Sequence, residues 1–175
     1  MNYTELFRAH ALYESNYGNR FYKLSIKSCQ RGCIEEKTVS IVAFLLYFNK
    51  VWYTNSEEGK KAFNDLERHV SNVYELIRST KSTLEELEKY SLTKVDLDDT
   101  FINSSIKTLY RRFSEVFGAT GASKALHLLL PRLIVMWDDT IRRSYGITRA
   151  DDENYLIFFE KSKRRNFGFS KRVCK

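Results

Sequence analysis

Apolar side chains recur at steps of three and four along most of this chain, and a single proline, Pro131, interrupts it. That spacing lays one apolar stripe along a helix, and proline is the residue that would stop it. No strand pair with hairpin chemistry, internal repeat or low-complexity segment competes with the helical pattern. The fold class that follows is all-α, a compact multi-helix domain. At 175 residues, 43% hydrophobic and 29% charged, a chain buries about 70% of its unfolded surface and needs neither disulfide nor structural metal to hold a core.

The spacing predicts a first helix over Tyr3–Tyr13, with Leu6, Phe7, His10 and Ala11 on one side. Asn16–Gly32 is polar, contains Gly18 and Gly32, and is expected to be a loop or a short helix. Glu35–Tyr53 is apolar on nearly every side, as a central helix packed all round would be. Asn55 with Glu58 reads as a capping box before the stripe Phe63, Leu66, Val70, Val73, Tyr74 and Ile77, and Ser82 with Glu85 repeats the signal before a shorter helix. After a connector over Ser91–Asp98, Ile102, Ile106, Leu109, Phe113 and Val116 trace a helix that stops at Gly118. A short apolar helix, Ala122–Leu130, ends before Pro131; another starts at Asp138 and ends near Gly146, and Thr148 with Asp151 opens the last.

Charge is distributed unevenly. Lys plus Arg number 29 against 22 Asp plus Glu, yet residues 161–175 hold seven cations and no acid, so the rest balances at 22 against 22. The expected organisation is one helical domain over 1–160 and a basic tail over 161–175, in which Phe167 and Phe169 alternate with charge as a phosphate-and-stacking contact would require. Met1–Ala11 lacks an apolar signal core, and Val39–Phe48 is about half the ~20 residues of a bilayer span. Three Cys is an odd count that fits a reducing compartment. The expectation is a cytoplasmic protein without membrane association.

The densest signal is 113–147, FSEVFGATGASKALHLLLPRLIVMWDDTIRRSYGI. It combines a helix, a glycine bend at Gly118 and Gly121, a short apolar helix, a Pro-containing return and a helix headed by an acid. Glycine permits positive φ and close backbone approach, and free N–H groups at such a bend suit a phosphate; any helical hairpin also needs a glycine for its own turn. Asp138 is a preferred N-cap, so it either satisfies backbone donors only or does so while oriented for chemistry. His127 is expected to hold Asp139 or a backbone carbonyl, Trp137 to be a core anchor or a wall of a base pocket, and Cys29 and Cys33 to be thiols rather than metal ligands. No metal or cofactor is expected.

The segment resembles the helix-hairpin-helix DNA glycosylases, whose hairpin reads approximately LPGVGxKTA and whose next segment reads approximately PVDTHVxR. With Ala122 on the final Ala, Val116, Phe117 and Gly118 take the GVG positions, Thr120 the catalytic-Lys position and Gly121 the Thr position. Met136–Ile141 then begin the second segment, Asp138 falls on its acid and Arg143 on its Arg, with Thr120 and Asp138 eighteen residues apart. The resemblance covers about a fifth of the chain and implies a helix-hairpin-helix motif near residues 102–130.

It also implies double-stranded DNA as partner and hydrolysis of the N-glycosidic bond of a damaged or modified base, with Asp138 as catalytic carboxylate. Thr120 cannot form a Schiff base, which points to a monofunctional enzyme. Lys124, one turn on, is a further catalytic candidate. Gly118, Thr120 and Gly121 would face phosphate, and Arg142, Arg143, Lys163, Arg164 and Arg165 would add electrostatic contacts. The alternatives are a noncatalytic DNA- or RNA-binding helical module and a protein-interaction domain.

Overall fold

The structure, a computed structural model, describes residues 17–170 apart from Leu97, with side chains from 20 to 164. Among the described residues there are eight helices and no strand: α1 (Tyr17–Arg31), α2 (Ile34–Phe48), α3 (Lys50–Asn55), α4 (Glu57–Asn64), α5 (Leu66–Leu87), α6 (Thr100–Leu129), α7 (Asp139–Ser144) and α8 (Asp152–Ser170). The domain is all-α. The helix expected over Tyr3–Tyr13 lies outside the described residues.

The central element is α6, which packs against α1, α2, α5 and α8. Its start follows from Asp99, whose Oδ1 accepts the N–H groups of Phe101 at 2.8 Å and Ile102 at 3.4 Å. Ile102, Ile106, Leu109, Phe113 and Phe117 follow at helical spacing and are all buried. Each such side chain contributes about 1.5–3 kcal/mol relative to an exposed one. At Gly118 the backbone leaves helical geometry (φ 69°, ψ 167°) and the helix resumes to Leu129, one residue short of the site where Pro131 takes effect.

Residues 130–138 return beneath α6 and are held from both sides. Tyr155 of α8 stacks on Tyr110 with ring centroids 4.2 Å apart and donates its hydroxyl to the Val135 carbonyl at 2.8 Å. Trp137 is buried against Tyr110, Tyr155 and Phe158.

Four boundaries differ from the sequence reading. Asn16–Gly32, expected as a loop or short helix, forms the long α1, with Ser25 and Cys29 buried and Phe21, Tyr22 and Ile26 packed against the core. The expected central helix breaks at Asn49, leaving Tyr47 65% and Val51 71% exposed. Its interruption has a tertiary cause: the Asn49 amide donates to the Phe117 carbonyl at 3.3 Å across the core. Ser56 rather than Asn55 caps α4 through the Gly59 N–H at 2.9 Å, and Asp65 then caps α5 through Arg68 N–H at 3.1 Å. No new helix starts at Ser82, because α5 runs on to Leu87. Asp151 caps α8 through Asn154 N–H at 2.9 Å, and α8 ends at Ser170.

Candidate functional site

Asp138 stands where the return segment meets α7. Its Oδ1 accepts the Ile141 N–H at 2.8 Å, and its backbone accepts from Arg142 N–H at the same distance. The residue before it is clamped by buried Ser123 of α6, whose hydroxyl accepts the Trp137 N–H at 3.2 Å and shares its own proton between the carbonyls of Trp137 (3.1 Å) and Thr120 (3.0 Å). The Trp137 indole N–H adds a bond to the Ala119 carbonyl at 3.4 Å. A cap and a side-chain clamp therefore fix the carboxylate to the same helix that carries the glycine bend.

Asp138 opens into a groove of about 740 Å³ lined by Tyr47, Phe48, Asn49, Trp52, Asn55, Ser56, Thr120, Lys124, Asp139 and Thr140, with Lys50 and Val51 at its edge. The Lys124 amine donates to the Phe48 carbonyl at 2.5 Å, covering the last turn of α2. Burial lowers its pKa, while the charge of Asp138 opposes that shift. Lys124 and Asp138 make no ion pair among the described residues. The groove thus holds a half-buried amine and a half-buried carboxylate, each anchored to backbone.

The two glycines receive side chains of this chain. A Cβ at Gly118 would stand 2.6 Å from Trp52 Nε1, and one at Gly121 2.8 Å from Asn49 Nδ2. Glycine is required at the bend both by its φ and by the indole lying over it. Thr120 lines the groove. Arg142 does not: it is 7% exposed, and its guanidinium donates to the carbonyls of Ile147 and Thr148 and to Asp139 Oδ1 at 2.9 Å. Arg143 is exposed at the end of α7. Lys163 donates to the Val95 carbonyl, Arg164 lies 3.9 Å from Glu160, and the side chain of Arg165 is outside the described residues.

Trp52 also walls a second groove of about 530 Å³ between α4, α5 and α6, lined by Lys61, Asp65, Arg68, His69, Asn72 and Glu115 among others. His69 is its buried titratable group, hydrogen-bonded to Tyr53 Oη at 3.0 Å, with its pKa lowered by burial.

No family model, curated protein or solved structure matches the chain.

Other candidates take plain structural positions. His127 binds the Ile134 carbonyl through Nδ1 and the Tyr22 hydroxyl through Nε2, both at 2.6 Å. The carbonyl can only accept, so Nδ1 carries the proton and Nε2 accepts from Tyr22. Asp139, the other partner expected for His127, binds Arg142. Trp137 is 1% exposed and lines neither groove. Cys29 is buried, which pushes its thiol up to about 12 against the opposing charge of Lys37, and Cys33 is exposed. Among the described residues, no group of His, Cys, Asp and Glu side chains is placed to hold a metal ion, and no helix is long and apolar enough to cross a membrane.

Ser123, Asn49 and Trp52 were not among the sequence candidates. Asn49 carried the best available signal, a polar residue following the apolar run that ends at Phe48.

Proposed function

We propose that the Asp138 groove receives a nucleotide of a DNA strand and that Asp138 supports hydrolysis of its N-glycosidic bond, the base being damaged or modified. The observation that carries this reading is the arrangement of Asp138 and Lys124 in one groove, the carboxylate oriented by its cap and by the Ser123 clamp. The electron pair of the glycosidic bond leaves with the base, which takes up a proton from solvent. Asp138 stabilises the positive charge developing on the sugar and accepts the proton of the water that adds to C1′. Lys124 orients the sugar-phosphate beside it.

The test incubates the full chain with duplex and single-stranded oligonucleotides carrying a panel of base lesions and measures abasic sites. Asp138→Asn should lower base release at least about 100-fold while keeping the fold, because asparagine caps a helix as well as aspartate. Borohydride should trap no protein–DNA adduct. An adduct lost in Lys124→Met would replace hydrolysis with Schiff-base chemistry at that amine. Binding without release from any lesion would leave the noncatalytic nucleic-acid module, and absence of both would leave a protein-interaction domain.

A further inference from the structure

We propose that the outward face of α1 is a contact surface for a nucleic-acid backbone, separate from the glycine bend and from the C-terminal segment. Arg20, Lys23, Lys27 and Arg31 are all exposed. At 100° per residue they fall within an arc of about 80° and extend along about 16 Å of helix. The opposite side is the buried one, with Ser25 and Cys29 in the core. The helix contains no acidic residue.

Elsewhere some exposed cations pair with a nearby acid, while others, Lys50, Lys61, Arg68 and Arg143 among them, have no ion pair among the described residues but do not form a stripe of four along one helix face. Lys60 pairs with Glu57 at 3.6 Å, Arg78 with Glu75 at 2.7 Å and Lys81 with Glu85 at 3.7 Å, each within one or two turns of chain. Among the described residues Arg20, Lys27 and Arg31 have no such partner. Steps of four between Lys23, Lys27 and Arg31 place like charges one turn apart, an arrangement that weakens a helix by itself. A polyanion lying along the stripe reverses that repulsion, and a phosphodiester strand presents negative charge at comparable intervals.

The stripe also begins beside the groove. Phe21, next to Arg20, meets Tyr47 edge-on at 5.9 Å and stacks on Phe48 at 6.3 Å, and both of those rings line the Asp138 groove. A strand following α1 toward its N-terminal end therefore arrives at the groove rim. Exposed Leu24 lies about 20° beyond that arc, and one apolar side chain beside four cations is the pattern of a backbone contact, not of a helix lying in a lipid interface.

The experiment measures binding of a fluorescein-labelled 20-residue DNA oligonucleotide, single-stranded and duplex, across a salt series, in the Asp138→Asn background so that no base is released. Arg20→Gln, Lys27→Gln and Arg31→Gln are combined and compared with a charge-matched control, Lys60→Gln, Arg78→Gln and Lys81→Gln, with circular dichroism checking both folds. The stripe variant should bind about tenfold or more weakly at moderate salt, its log–log salt slope shallower by about 2–3, while the control changes less than about twofold. Equal losses in both variants, or none in the stripe variant, would overturn the proposal. So would stripe-dependent binding confined to vesicles of anionic phospholipid. Failure of base release leaves it standing, because binding is read independently of cleavage.

Discussion

Trp52 has a groove on each side, and the two differ in what their charged groups are tied to. On the Asp138 side, a carboxylate and an amine from different elements are each anchored to backbone and face common space without pairing. On the His69 side, Lys61, Asp65, Arg68 and Glu115 are exposed, and the one buried imidazole is already bonded to Tyr53. Groove volume alone does not separate them. Asp65, the cap of α5, is held by a main-chain bond as Asp138 is; what distinguishes the first groove is that an amine from another element, Lys124, is anchored to backbone beside the carboxylate, so that two opposite charges face one opening.

The wall between the grooves can be tested directly, with the largest effect expected there. Gly118→Ala puts an L-residue at φ 69°, ψ 167°, a region essentially reserved for glycine, at about 1–3 kcal/mol, and forces a methyl toward the Trp52 indole, at about 1–3 kcal/mol for overpacking. A loss of about 2–6 kcal/mol in urea unfolding follows. A loss below about 1 kcal/mol would mean that Trp52 moves aside and that the two grooves are not firmly divided.

Next comes Ser123→Ala, which leaves the buried Trp137 N–H without its acceptor. That should cost about 1–3 kcal/mol and reduce base release with little change in oligonucleotide binding, since it loosens Asp138 and leaves α1 untouched. Unchanged release would show that the cap alone orients the carboxylate.

The smallest effect concerns pH. Burial lowers the pKa of both His69 and His127 below the ordinary 6.5. The unfolded chain therefore takes up protons first as pH falls, so their contribution is fully present above about pH 6.5 and declines below it. Stability should fall from pH 7 toward pH 5. His69→Gln should flatten part of that slope without altering chemistry in the Asp138 groove; an unaltered slope would assign the whole effect to His127 and its Tyr22 bond.

The helical class was legible because three- and four-residue spacing survives any tertiary arrangement. So were the starts at Asp99 and Asp138, since a cap is a local bond between a side chain and the N–H two or three residues on. The break at Asn49 was hidden because the apolar pattern continues through Val51 and Trp52, while its cause is a hydrogen bond to a carbonyl 68 residues away. The long α1 was hidden by its own charge: a polar, glycine-flanked stretch looks like a loop until a buried Cys29 and Ser25 give it a second side. At the candidate site, the non-helical bend at Gly118 could be read from sequence, whereas its occupant, Trp52, could not. Lys124 on a short helix suggests a solvated charge; the Phe48 carbonyl, from a distant helix end, draws it inward.

Trp137 lies sealed in the interior, whereas Trp52 is partly open and borders both grooves. The protein's only two indoles are thereby sorted into a constant emitter and a responsive one. A molecule entering on either side of the partition would announce itself through the outer ring's fluorescence, with no label attached.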